Sequence, residues 1–185
     1  MEVFTERLVL RPFTKADRDD VHLYASDPAV CFFTDWGPNS EAETDEFIGA
    51  AVATGAPLNT AVTLAHEVLG ASGPVPAGTV IGSVSAFGAN RGPVEANPGA
   101  RELGWVVRRD LWGQGIATEA VQGLIEALVA DGVVREIEAR CRPQNRASSR
   151  IMEHVGMTYI ETIARDKLIR GSWVDSHLYR LVITA

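Results

Sequence analysis

The stretch from Arg101 to Val129 reads R-E-L-G-W-V-V-R-R-D-L-W-G-Q-G-I-A-T-E-A-V-Q-G-L-I-E-A-L-V. It predicts a strand from Glu102 to Val107, a turn holding Gly113 and Gly115, and an amphipathic helix. Ile116, Ala120, Val121, Leu124, Ile125, Leu128 and Val129 fall on one apolar stripe of that helix. The first N–H groups of a helix have no partner within it. The helix dipole adds partial positive charge at the same place. Glycine lets an anion approach the backbone without a Cβ in the way. Gln114 to Thr118 are therefore expected to present N–H donors to a phosphate or diphosphate. A bare G-x-G is equally compatible with a tight turn that binds nothing.

The longer string narrows the choice. Asp110 to Ala120, D-L-W-G-Q-G-I-A-T-E-A, resembles motif A of the GNAT superfamily of acyl-CoA-dependent N-acetyltransferases. It is most similar to the RimJ/RimL-like branch, where W-G-x-G-I-A-T-E-A recurs. The resemblance implies that Gly113, Gln114, Gly115, Ile116, Ala117 and Thr118 bind the pyrophosphate of acetyl-CoA. One position departs from the superfamily pattern: Asp110 stands where Gln or Arg is usual. Arg108 and Arg109, just before it, are placed to supply the missing charge; as ordinary loop arginines they would have no such role.

Composition limits the alternatives. The chain has 185 residues, 46% of them apolar, which suits a single domain, residues 1–185, with a substantial core. Its formal net charge of −7 argues against nonspecific nucleic-acid binding, which needs a basic footprint. It fits a soluble protein that attracts a cationic amine. Cys31 and Cys141 form no C-x-x-C and read as reduced thiols in a cytoplasmic protein. Met1 to Arg11 is charged and lacks the apolar core of a signal peptide. No apolar run approaches the ~20 residues of a membrane span. His22, His66, His154 and His177 show no metal-ligand spacing, so no metal is assigned.

Along the chain, Thr5 to Arg11 alternates as a first strand ended by Pro12. Thr14 reads as a helix N-cap, and Asp27-Pro28 ends that helix. The opening T-E-R-L-V-L-R-P-F-T-x-x-D again resembles the RimJ/RimL-like branch. Phe32, Phe33 and Trp36 follow in a loop ending at Pro38, as core plugs or, by the resemblance, as acceptor-pocket lining. Ser40 and Glu43 form a capping box opening a helix to about Thr54. Asn59 to Ala65 and Gly78 to Phe87 read as paired strands joined by the loop His66 to Ala77. Gly82 predicts a bulge or a close backbone approach. Gly88 to Ala100 reads as a mobile loop. Gly132 closes the central helix, and Glu136 to Cys141 is the next strand.

Pro143 to Met157, P-Q-N-R-A-S-S-R-I-M-E-H-V-G-M, is similar to the family's second signature. Asn145 caps a short helix that Gly156 ends. Tyr159 to Arg165 and Ser176 to Thr184 read as closing strands joined through Lys167 to Trp173. The resemblance covers nearly the whole chain. It implies an α/β (α+β) GNAT fold, a mixed and mostly antiparallel sheet of six to seven strands with four helices. The sheet is expected to splay between its fourth and fifth strands, Glu102 to Val107 and Glu136 to Cys141.

Acetyl transfer needs a neutral amine, a polarised thioester carbonyl and a departing thiolate. An α-amine of pKa near 8 is about a tenth neutral at pH 7, whereas a lysine near ~10.4 is neutral in only a few molecules per ten thousand. The family's strand carboxylates make Glu102 the candidate general base. A surface Glu paired with Arg101 or another arginine is its structural alternative. Glu161 is a second candidate, shifted one residue from the usual place. The resemblance pairs the pantetheine arm with Trp105, Val106 and Val107, and brings Asn145 to the coenzyme arm. No tyrosine lies between Asn145 and Gly156 to protonate the thiolate. The resemblance to the RimJ/RimL-like branch puts Ser148 in that place; otherwise it serves only the first turn of its helix.

Three readings follow. The first is an acetyl-CoA-dependent N-acetyltransferase acting on a protein N-terminal or small-molecule amine, as a monomer or homodimer. The second is a non-catalytic acyl-CoA-binding module. The third is a nucleotide-phosphate enzyme, which lacks the G-K-[ST] such a turn needs.

Overall fold

A computed structural model of the protein describes residues 2–54, 59–89 and 97–183. The chain opens with β1 (Val3–Phe4) and β2 (Leu8–Pro12). The first strand is thus two pieces rather than one. Thr5 breaks it, because its N–H bonds the Leu8 carbonyl at 3.0 Å and its hydroxyl accepts the Leu8 N–H at 3.1 Å. Pro12 ends β2, as expected, from within its last pair with Thr60.

Thr14 opens a short 3-10 turn, Lys15–Asp17, that leads into α1 (Arg18–Ala25). The Asp17 carboxylate accepts the Thr14 N–H at 2.7 Å and a two-point fork from Arg11 at 2.8 Å on each oxygen. Burial alone would raise the Asp17 carboxyl, but the Arg11 and Thr14 bonds hold it below its ordinary range. Another 3-10 turn, Val30–Phe33, precedes α2 (Glu41–Thr54). The capping box there is as read: Ser40 N–H reaches Glu43 at 2.7 Å and Glu43 N–H reaches Ser40 Oγ at 3.3 Å.

β3 (Asn59–Leu64) follows, then a small hairpin, β4 (Val68–Gly70) and β5 (Gly73–Val75), then β6 (Val80–Gly88). The hairpin lies inside what the sequence offers only as a long loop; its strands are three residues each, too short for alternation to show. In the expected mobile loop, residues 90–96 lie outside the described residues. Next come β7 (Ala100–Val107), α3 (Ile116–Ala130), β8 (Glu136–Cys141), α4 (Arg146–His154), β9 (Thr158–Ile169) and β10 (Ser172–Val182). The closing strands are longer than expected. Arg170 and Gly171, at φ 47° and 78°, make a tight turn of the kind that joins hairpin strands.

Hydrogen-bonded neighbours in the main sheet run β1-β2-β3-β6-β7-β8-β10-β9, eight strands, with β4 and β5 paired apart. The split N-terminal strand accounts for the excess over the expected six to seven. The pair β7–β8 is parallel, and α3 is the crossover that a parallel connection requires. These are the two strands between which a splay is expected. Their register runs from Ala100 opposite Glu136 to Leu103 opposite Ala139, four of β7's eight residues.

The chain divides into two compact units, Met1–Ser85 with Trp105–Leu124, and Ala86–Gly104 with Ile125–Ala185. β6, β7 and α3 run from one into the other. In the first unit, Phe13, Val21, Tyr24, Ile48, Val80 and Val106 share one buried cluster. Gly82 satisfies both expectations for it. The β3–β6 register shifts beside it, and a Cβ there would sit 2.1 Å from the Val106 carbonyl oxygen. In the second unit, Ile137, Ala139, Met152, Leu178 and Tyr179 are buried. Along α3, Ile116 through Leu128 of the predicted stripe are buried, but Val129 is 37% exposed in the last turn. Among the described residues no helix is long and apolar enough to cross a membrane.

Candidate functional site

The glycine turn is built as the sequence implies. Gly113 and Gly115 adopt φ +78° and +76°, the left-handed region that side chains disfavour. Both are exposed, and α3 begins at once with Ile116. The first helical bond is Glu119 N–H to the Gly115 carbonyl at 3.0 Å. Among the described residues no hydrogen bond takes up the N–H groups of Ile116, Ala117 or Thr118. Ile116 turns its side chain into the core, while Ala117 and Thr118 are half-buried. Three adjacent donors at the positive end of a fifteen-residue helix form a cradle for an anion.

The flanks of the turn are tied down. Gln114 Nε2 donates to the Leu69 carbonyl at 3.0 Å, and Ala71 N–H reaches the Asp110 carbonyl at 2.8 Å, so the β4–β5 hairpin braces it. Glu119, in the first turn of α3, accepts from Thr5 Oγ1 at 2.5 Å, Arg7 N–H at 2.7 Å and Arg7 Nε at 2.7 Å. Its burial would raise the carboxyl, yet these bonds and the Arg7 charge hold it below the ordinary glutamate range. The Asp110 departure acquires a local explanation. Its carboxylate takes Arg108 in a two-point fork at 2.7 and 2.9 Å. Arg108 is thus committed within the loop rather than offered as a lone charge, and Arg109 pairs with Asp27 at 3.3 Å.

The end of β7 sorts the three predicted pantetheine contacts. Val106 turns its carbonyl towards Gly82 on β6 and its side chain into the core. Backbone groups alternate along a strand, so Trp105 and Val107 direct theirs to the other edge. The Val107 carbonyl accepts Trp112 Nε1 at 2.8 Å. The indole of Trp112 is half exposed beside Gly113.

In the second unit, Glu102 is not a surface residue. It is 1% exposed, and Arg140 rather than Arg101 approaches it, Nη1 to Oε2 at 3.4 Å. Arg101 instead donates to the carbonyls of Pro98 and Ala100, each at 2.9 Å. Glu138, level with Glu102 in the parallel register, binds Arg180 at 2.6 Å. Arg140 also lies 4.0 Å from Glu138. Arg140 is the residue that sequence reasoning passed over. The signal was the alternation E-I-E-A-R-C, which places Glu136, Glu138 and Arg140 on one face of β8.

Asn145 caps α4, its side chain accepting the Ser148 N–H at 3.2 Å. The Ser148 hydroxyl therefore does not serve that orphan N–H. It is half-buried, and among the described residues no hydrogen bond reaches it. Neighbouring Ser149 is the structural serine, buried against Cys141 Sγ at 3.4 Å. Burial pushes the Cys141 thiol up. Glu161 is exposed on β9, opposite Leu178. Phe32 is 63% and Trp36 38% exposed, so those two are not core plugs.

Residues 7–158 match the family described as acetyltransferase (GNAT) domain. The chain is 25% identical to the uncharacterized N-acetyltransferase YnaD of Bacillus subtilis (strain 168), over 98% of this chain and 97% of that one. Its fold superposes on a GNAT-family acetyltransferase from Bacillus anthracis with a TM-score of 0.81, at 24% identity over 98% of each chain. It also superposes on RimL, a ribosomal L7/L12 alpha-N-protein acetyltransferase in complex with coenzyme A. There the TM-score is 0.78 at 17% identity, covering 99% of this chain and 98% of that one.

Proposed function

The chain belongs to the GNAT acetyltransferase family, and from that premise we propose that it transfers an acetyl group from acetyl-CoA to a primary amine. The acceptor is a protein N-terminal α-amine or a small-molecule amine. The observation that carries this reading is the row of three N–H groups, Ile116 to Thr118, that no group of the described chain takes up beside two exposed left-handed glycines. A diphosphate supplies the acceptors that those donors lack.

In this reading, residues 1–185 act as one cytoplasmic catalytic domain, monomeric or homodimeric. Gly113, Gln114, Gly115, Ile116, Ala117 and Thr118 hold the diphosphate. Trp105 and Val107 pair with the pantetheine arm through their backbone groups, and Val106 packs between them. A backbone N–H of that strand polarises the thioester carbonyl. The amine nitrogen attacks the carbonyl carbon, its proton passes to Glu102 directly or through water, and the C–S bond breaks to release the thiolate. The Asn145 amide Nδ2 contacts the arm while its oxygen caps α4. The Ser148 hydroxyl donates to the leaving sulfur. A simple thiol ionises near ~8.5, so the departure needs little acid assistance.

An α-amine demands less of the base than a lysine does. The activity of the RimL relative on a ribosomal-protein N-terminus makes peptides with free α-amines the first acceptors to try. The test incubates the protein with acetyl-CoA and a panel of such peptides, lysine peptides and small amines, and follows free thiol. Acetyl-dependent thiol release with at least one class of amine is the expected result. Coenzyme binding without release across the panel would assign the chain to sensing or assembly instead.

A further inference from the structure

We propose that Arg7 is a positioning residue for the coenzyme's diphosphate, acting through the first turn of α3. The proposal rests on the acetyl-CoA reading above.

A carboxylate in the first turn of α3 poses a problem for an anion site. Glu119 suits the helix dipole, but an open negative charge there would repel a diphosphate. The structure removes the conflict. Oε1 of Glu119 is taken by the Thr5 hydroxyl and the Arg7 N–H, and Oε2 by Arg7 Nε. The carboxylate is thereby neutralised and drawn to the N-terminal turn. The same guanidinium extends past it. Nη1 of Arg7 donates to the carbonyl of Gln114, the residue between the two glycines, at 2.9 Å. That bond restrains a segment whose glycines would otherwise leave φ free.

The remaining nitrogen, Nη2, lies over Gly115. Apart from adjoining residues, it is the one described atom within 4 Å of where a Cβ on Gly115 would sit, at 3.6 Å. Arg7 is fixed at its base as well, because its carbonyl accepts the Ala65 N–H at 2.8 Å. A staple for the fold would need only the Glu119 contact. The contact to Gln114 and the placement over Gly115 join Arg7 to the turn itself. Donation to Glu119 and to Gln114 from separate nitrogens of one planar fork is what arginine provides and the single nitrogen of lysine does not.

The test measures binding of three probes by calorimetry or NMR: coenzyme A, dephospho-coenzyme A and pantetheine. The first two carry the diphosphate and the third does not. Arg7→Gln should weaken both diphosphate ligands about ten- to a hundredfold, the scale of a charge-assisted hydrogen bond. Pantetheine affinity should not change. Arg7→Lys keeps the charge but not the fork, and should show a smaller loss with the same split; it carries the test if Arg7→Gln does not fold. Equal losses for all three probes, no loss for any, or failure of both variants to fold would overturn the positioning role. Failure of the wild-type protein to bind coenzyme A would instead overturn the acetyl-CoA reading and this proposal with it.

Discussion

Enclosed beside Arg140 with 1% of its surface exposed, Glu102 has a fixed geometry that a solvent-facing glutamate would lack. It also carries a structural load. Removing one member of a buried ion pair typically costs about 3–5 kcal/mol, because the other charge is left behind. Arg140 retains Glu138 at 4.0 Å, which softens that cost. Glu102→Gln preserves shape and tests the chemistry. If Glu102 is the base, its loss matters most where the amine is protonated. The rate should fall about a hundredfold near pH 6, with the gap closing as pH rises past the amine pKa of about 8. A pH–rate profile, with a thermal melt as control, checks this. An unchanged profile would move the role to Glu161 or to water.

Among the elements, α3 holds one position where packing opposes helix propensity. Gly123 sits in its interior, where glycine ordinarily costs about 1 kcal/mol relative to alanine. On propensity alone Gly123→Ala would stabilise. The structure predicts the opposite sign, because the added Cβ would lie 2.8 Å from Thr5 Cγ2. Thr5 cannot simply rotate away, since its hydroxyl is held by Glu119. Gly123→Ala should therefore destabilise by about 1–3 kcal/mol, read by urea denaturation, and weaken coenzyme binding through the same contact. A gain in stability would show that the N-terminal turn is softer than its hydrogen bonds indicate.

Across the whole molecule, local chemistry was the legible part. The Ser40 and Asn145 caps, the Gly82 approach, the glycine turn and the stripe of α3 as far as Leu128 all follow from residue type and period. So does the order of the main strands and helices. What the sequence hid depends on which polar groups choose one another, near or far in the chain. Thr5 bonding the Leu8 backbone, Asp110 gripping Arg108, and Arg7 reaching Glu119 are pairings that no periodicity encodes. Arg140 beside Glu102 is a cross-strand contact, visible only once the parallel register is known. The extra length of the β9–β10 hairpin was hidden because β9 is exposed along most of its length, so no alternation marks where it ends.

Titration of coenzyme A into the wild-type protein and into Gly115→Glu tests whether the glycine turn holds the diphosphate. A glutamate at that corner would put a side chain and a negative charge where the diphosphate is held. Saturable binding to the wild type and no detectable heat with the variant are expected, while the variant's circular dichroism melt remains cooperative. Wild-type affinity retained by Gly115→Glu would contradict that role of the turn.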